Sequence, residues 1–319
     1  MSCNFDMPDF GDIETIADTF GPLRRDGLLP STVYVSNIVE WLAMVGKREE
    51  LWPQGGIIPD WRLKELQKEL GMGYWNAKFG LYGHKDVVQA QFDTVKKIVA
   101  QKAPKGRLNG VIFAAKDGEV LDAASIPDPH GGMAVGVPSL WSLPMVQFRL
   151  PLKGPGIGAH YDYSPIIPSR GSTILEWVTT AKKVCEKDGF DLFCDFFMHE
   201  RHVIFVNMMS FDKSNAEQKG AVERIWGKLF EEGRKRGYSK YRGHVGVMGE
   251  WNHSSHLFIH LLKAASGAQY QNGLMLKKRR YGGRSLRLQQ SCLSSLRRET
   301  QRRRGSQWYP LSRQAGYLA

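Results

Sequence analysis

Apolar residues recur at helical spacing in FGDIETIADTFGPL (10–23) and in NIVEWLAMVGK (37–47), with Ser36 or Asn37 placed to cap the second helix. PDWRLKELQKELG (59–71) opens on Pro59-Asp60 and stops at Gly71, the usual punctuation of a helix. YWNAKFGLYG (74–83) is strand-like, HKDVVQAQFDTVKKIVAQ (84–101) is helical, and LNGVIFAA (108–115) is again a strand. A Gly/Pro-rich interval follows over 117–157, long enough to suggest a functional or mobile loop.

Alternation then resumes. The pattern predicts a strand near 159–167, a helix over 172–189, strands over 191–198 and 202–211, and a helix over 215–237. This β-α-β-β-α order suggests an α+β fold, an antiparallel sheet with helices packed on one face in a ferredoxin-like arrangement. No glycine-rich strand–turn–helix phosphate loop occurs, so neither a Rossmann nor a Walker site is supported.

Composition adds bounds. The 319 residues are 42% hydrophobic and 24% charged, with nine Trp and fifteen Phe, enough apolar bulk for a substantial core. No apolar run reaches the ~18 residues of a membrane span. The acidic start, MSCNFDMPDFGDIE, lacks the order of a signal peptide. Cys3, Cys185, Cys194 and Cys292 form no CxxC pair and suggest reduced thiols. An intracellular location, cytoplasmic or peroxisomal, is expected.

The net charge of +12 is unevenly placed: from Lys277 onward twelve Lys or Arg face one acid, Glu299. The preceding 276 residues carry only +1, so the basic balance belongs to a tail and not to a binding face. KKRR (277–280) within it could contact nucleic acid or direct nuclear import, as part of a noncatalytic binding module. The plainer reading is a solvated, disordered tail over 274–319, to which nucleic-acid binding is not expected to contribute.

Three clusters could carry chemistry. In MHERHVIF (198–205) a continuous strand would put Glu200, His202 and Ile204 on one face and His199 and Arg201 on the other. That face joins a carboxylate, an imidazole and an apolar wall, as a pocket does. In WNHSSHLFIHLL (251–262), His253, His256 and His260 could share one side of a helix and hold a transition metal, or simply form a polar face. In KYRGHVGVMG (240–249), Tyr241 and Arg242 offer a phenol donor and a permanent cation for an anionic oxygen, or a surface pair.

In ETIADTFGPLRRDG, LGMGYWNAKFGLYG, GAHYDYSPIIPSRG, MHERHVIF, YSKYRGHVGVMGEWN and HSSHLFIHLLKAA, taken in order, the chain resembles the vanillyl-alcohol oxidase and 4-cresol dehydrogenase family of FAD-linked oxidases. The resemblance covers nearly all of residues 10–265. It implies a cap (substrate) domain over 1–237, a partial C-terminal return segment of the FAD domain over 238–273, and the basic tail after it. The family's N-terminal FAD-binding half has no counterpart, and the expected Pro-Gly-Lys ending beyond Gly273 is replaced, as after a frameshift or mis-spliced exon. The chain therefore resembles a fragment, inactive alone.

By resemblance, His160 falls on the histidine that some members link covalently to FAD, while Tyr241 and Arg242 fall on the pair that binds the substrate phenolate. Glu200, Ile204 and Asp162 fall on substrate-cavity positions. Asp162 departs from the apolar or aromatic residue usual there, and a carboxylate beside a phenolate is unfavourable unless protonated or turned away. The implied reaction is hydride transfer from the benzylic carbon of a 4-hydroxybenzyl alcohol type of substrate to the flavin, helped by loss of the phenol proton. A phenolic small molecule is the expected partner, and a homo-oligomer is compatible with the resemblance.

Overall fold

The computed structural model describes residues 1–113, 119, 136, 140 and 142–241. Among the described residues nine strands form one antiparallel sheet: β1 (Ser2–Met7), β2 (Val33–Asn37), β3 (Trp75–Gly80), β4 (Arg107–Val111), β5 (Gly158–Tyr163), β6 (Pro165–Pro168), β7 (Phe193–Met198), β8 (His202–Asp212) and β9 (Ser239–Lys240). The helices are α1 (Ile13–Arg25), α2 (Ile38–Val45), α3 (Arg48–Leu51), α4 (Asp60–Leu70), α5 (Lys85–Lys102), α6 (Gly171–Lys187) and α7 (Ala216–Lys235).

The strand order is β4-β1-β3-β2-β7-β8-β6-β9, with β5 also paired to β8. Two copies of one topology are visible in it. Connected as β1-α1-β2 then β3-α5-β4, the first four strands lie in the order 4-1-3-2. In the second half β5 and β6 run successively along β8, as one line interrupted at Ser164, and the same order returns from the opposite edge. The halves meet where β2 pairs with β7, Val35 opposite Phe196. The ferredoxin-like arrangement expected of the second half is therefore present twice.

Two strands that complete the first copy, β1 and β2, are absent from the sequence reading. β1 nevertheless follows the two-residue period: Cys3, Phe5 and Met7 point into the core while Ser2, Asn4 and Asp6 point the other way. β2 runs straight into α2, whose first turn is capped by Asn37 Oδ1 accepting from the Glu40 amide at 3.4 Å. α4 ends as expected at Gly71, whose φ of 66° is the left-handed conformation a glycine adopts without strain.

The four long helices cover one face of the sheet. On the first copy, Phe20 of α1 packs between Phe5 and Phe79, with ring centres 5.2 and 5.6 Å away. On the second, Trp177 of α6 sits 5.8 Å from Tyr163 and donates its indole N–H to Asn207 at 3.1 Å. Burying such rings contributes ~1.5–3 kcal/mol each. Two glycines allow the close approaches. A Cβ on Gly171, the first residue of α6, would lie 2.5 Å from the Glu14 carbonyl of α1. A Cβ on Gly233 of α7 would run into the Tyr163 hydroxyl.

The opposite face is not bare throughout. α2 lies across one end, with Lys78 of β3 over its Trp41 ring at 4.1 Å. A 3-10 turn at Leu143–Gln147, the described end of the interval expected to be a mobile loop, packs beside it; the Met145 carbonyl accepts from Ser210 at 3.0 Å. A buried ion pair, Arg48 to Asp191 at 2.8 Å with Arg149 at 3.6 Å, ties α3 to the segments preceding β5 and β7. Burial pushes the Arg149 guanidinium down to about 10.

Candidate functional site

The helix-free face of the second copy is open beyond α2, and its outward positions follow from strand register. Tyr163 points to the helices, so His160 and Asp162 of β5 point away from them, opposite Ser210 and Met208. Ile166 of β6 sits opposite Ile204 of β8, and Ile204 opposite Phe197 of β7. Phe197 in turn faces Tyr34 of β2 across the junction, with ring centres 5.1 Å apart. These residues make an apolar strip crossing four strands. Phe197 is 40% exposed, an unusual state for an aromatic residue in the middle of a sheet.

Most of the expected site residues surround this strip. His160 is half exposed, and its Nδ1 lies 3.0 Å from the Asp162 carboxylate. That hydrogen bond raises the His160 pKa above its ordinary value, against the opposing effect of partial burial. It also answers the difficulty posed by a carboxylate here: Asp162 is engaged by the imidazole beside it. Tyr241 follows β9 and donates its main-chain N–H to the Ser164 carbonyl at 2.8 Å, which fixes it at the edge of the same face. Arg242, His253, His256, His260 and the basic tail lie outside the described residues.

One placement differs from expectation. His199, Glu200 and Arg201 form the turn between β7 and β8 and do not continue a strand, so Glu200 does not share a face with His202 and Ile204. Glu200 instead meets Arg24 of α1 at 2.5 Å. The turn also brings His199 onto His202, rings stacked 4.8 Å apart, where the strand reading had separated them. Burial, and then the charge of His199, lower the His202 pKa. The Glu200 carboxyl is held low, first by its own backbone amide and then by the Arg24 charge.

Sequence reasoning missed Tyr34, Glu40 and Asp195. The Tyr34 hydroxyl donates to Glu40 Oε1 at 2.5 Å, and both carboxyls are buried, Glu40 at 4% and Asp195 at 7% exposure. Polar residues at outward strand positions are ordinary, and β7 reaches β2 only through the fold. Among the described residues no three His, Cys, Asp or Glu side chains are grouped to hold a metal, and no helix is long and apolar enough to cross a membrane.

The doubled ferredoxin-like sheet is similar in fold to part of solved FAD-linked oxidases. The structure matches p-cresol methylhydroxylase with substrate bound at a TM-score of 0.67 and 26% identity, over 83% of this chain and 50% of that one. It matches 4-ethylphenol oxidase from Gulosibacter chungangensis at 0.67 and 20%, over 83% and 49%, which speaks to fold alone. In sequence the chain is 27% identical over 236 residues to the hydroxylating 4-cresol dehydrogenase flavoprotein subunit of Pseudomonas putida, covering 73% of this chain and 42% of the relative. No protein-family model matches it. In sequence and fold the chain is similar to FAD-linked oxidases of the vanillyl-alcohol oxidase and 4-cresol dehydrogenase family. It spans about half the length of these relatives.

Proposed function

We propose that the chain forms the substrate-side half of an FAD-dependent oxidoreductase acting on para-substituted phenols. The observation that carries this reading is the apolar strip of Phe197, Ile204 and Ile166, flanked on one helix-free face by His160, Asp162 and Tyr241. A flat aromatic ligand suits such a strip, because its ring is desolvated against side chains while its polar end reaches the rim.

The residues present fit the edge of a flavin ring. With Nδ1 occupied by Asp162, Nε2 is the His160 atom left to meet it, and a covalent link there belongs to the same proposal. Bound FAD would supply the hydride acceptor. The chain's own contribution is binding and charge: Tyr241 donates a hydrogen bond to the phenol oxygen, and Arg242 stabilises the phenolate as its proton leaves. Glu200, held by Arg24, borders the strip from the β7–β8 turn. The proposal assigns this chain one half of the site, so the chain alone binds phenols and does not turn them over.

The test is methyl NMR of the full chain titrated with 4-hydroxybenzyl alcohol, with and without FAD. Shifts centred on the Ile166, Ile204 and Val206 methyls are expected, abolished by Arg242→Ala. Shifts centred on the first copy of the fold, or binding indifferent to Arg242, would sink the reading.

A further inference from the structure

β9 carries one end of the candidate site on very little backbone. It has two residues, Ser239 and Lys240, and pairs with β6 as Ile166 opposite Ser239 and Pro165 opposite Lys240. Pro165 has no N–H to give the ladder. Just beyond, the Tyr241 amide donates to the Ser164 carbonyl at 2.8 Å. A strand so short is marginal by its backbone alone, so its side chains matter for where it lies.

Lys240 is only 6% exposed, a rare state for a lysine. Ser239 faces Ile166 of the open strip, so Lys240, next along the strand and opposite the buried Pro165, points to the helices. Its ammonium lies 4.3 Å from the centre of the Phe230 ring and 5.1 Å from that of Trp226, both on α7. Those two rings are stacked 5.5 Å apart with planes 14° from parallel. Tyr163 of β5 stands edge-on to both and buttresses them. The ring faces carry the negative side of the aromatic quadrupole, and desolvation strengthens their hold on a cation. The Trp226 indole also donates to the Asp162 carbonyl at 3.1 Å. One side of α7 therefore grips both rims of the strip, β5 beside His160 and β9 beside Tyr241.

We propose that Lys240 is a positioning residue: held by the rings of Trp226 and Phe230, it fixes β9 and so directs Tyr241, by strand alternation, to the helix-free face. The use of Tyr241 as a phenol partner rests on the function proposed above; the aromatic hold on β9 does not. Lys240 touches no ligand itself, because its side chain lies on the helix side of the sheet. Methionine at this position keeps most of the stem and loses the charge, which leaves Tyr241 on a looser edge.

Three readouts on the full chain decide it. Proton–carbon NMR should find the Lys240 ε-methylene protons well upfield of ordinary lysine, moved there by the ring currents of Trp226 and Phe230. Phe230→Leu should bring them back toward the ordinary position. Ordinary shifts for Lys240 in the wild type would mean that the rings do not hold it, and the proposal fails.

Hydrogen exchange, followed amide by amide, reads the hold on β9. In Lys240→Met the Tyr241 amide should exchange about tenfold faster, the scale of one desolvated cation–π contact. The Phe196 amide, in the middle of the sheet, should keep its wild-type rate. Phe230→Leu should free the Tyr241 amide to a similar degree. The double variant should add little more, since both changes break one contact. An unchanged Tyr241 amide in Lys240→Met, a general loosening that includes Phe196, or two effects that simply multiply overturns the proposal.

The ligand arm uses 4-hydroxybenzyl alcohol, which is uncharged at neutral pH, so that the lysine charge does not attract it from a distance. Its dissociation constant should rise about fivefold in Lys240→Met and in Phe230→Leu, the worth of one neutral hydrogen bond. Unchanged binding beside a loosened Tyr241 amide overturns the ligand part alone. If the wild type does not bind the alcohol, the phenol-site reading falls with that part, while the hold on β9 is judged by the first two readouts.

Discussion

The two ferredoxin-like copies share connectivity and core but not the chemistry of their open faces. In the first, the outward positions are Asn4, Asp6, Asn76, Arg107 and Asn109, with Asp6 paired to Arg107 at 2.8 Å and Trp41 of α2 lying over Lys78. In the second they are Phe197, Ile204, Val206 and Ile166, rimmed by His160, Asp162 and Tyr241. Inward positions decide whether the sheet forms; outward positions are free to differ, and the second copy has used that freedom for a binding surface. The junction strands carry both tendencies, Tyr34 being polar at its tip and Phe197 wholly apolar.

If the cores are equivalent, equivalent damage should follow from breaking either. Phe20 and Trp177 occupy matching helices and are both fully buried. Phe20→Ala and Trp177→Ala should each destabilise the protein by about 3–5 kcal/mol. Urea denaturation followed by far-ultraviolet circular dichroism measures this. A single transition in both variants is expected, because the sheet is continuous across β2 and β7. Separate transitions, or one variant unaffected, would break the equivalence of the copies.

The open faces should respond in the opposite manner. Phe197→Ser removes a ring that is 40% exposed and packed on Tyr34, so stability should fall by about 1–2 kcal/mol, well short of the core variants. Affinity for 4-hydroxybenzyl alcohol should fall about tenfold, the worth of roughly 50 Å² of apolar contact. Asn109→Ser, at an exposed outward position of the first copy, should leave both quantities unchanged. A Phe197 variant that binds as well as wild type would remove the strip from the site.

Much of this contrast was legible in the chain, and what was hidden has physical causes. Helices such as α4 announce themselves through Pro59, Asp60 and Gly71, and the i, i+2 spacing of His160 and Asp162 already places them on one face of a strand. β1 is hard to read from the chain although SCNFDM alternates, because a short strand whose outward residues include Asn and Asp resembles a polar terminus. β2 passes into α2 without a loop, so the helix cap dominated the pattern. The strand limits at 198 and 202 leave room for the turn at His199–Arg201, but it contains neither Gly nor Pro, and the pairing of β7 with β8 is what takes Glu200 off the face of His202. Asp195 is brought beside the β2–α2 segment of Tyr34 and Glu40 by the long-range pairing of β2 with β7, which local periodicity does not encode.

The smallest effect discriminates within the second copy itself. His160 and His202 both belong to its open face, yet their surroundings push them in opposite directions. The Asp162 hydrogen bond raises the His160 pKa, whereas burial and the neighbouring His199 lower that of His202. For His160 the folded value exceeds the unfolded one. Its contribution to stability is therefore fully present below the unfolded histidine pKa and is lost as pH rises through the folded one. For His202 the folded state resists the proton, so stability declines as pH falls through its unfolded pKa. With His160 half exposed, solvent screening leaves its share at about a few tenths of a kcal/mol, too small for denaturation curves to resolve. Imidazole NMR resolves it directly, as two midpoints on either side of the ordinary histidine value. Asp162→Asn should bring the His160 midpoint down and leave that of His202 in place. If both midpoints moved together, the Asp162 contact would not be the local cause, and the pair could not be what orients the imidazole toward a ligand.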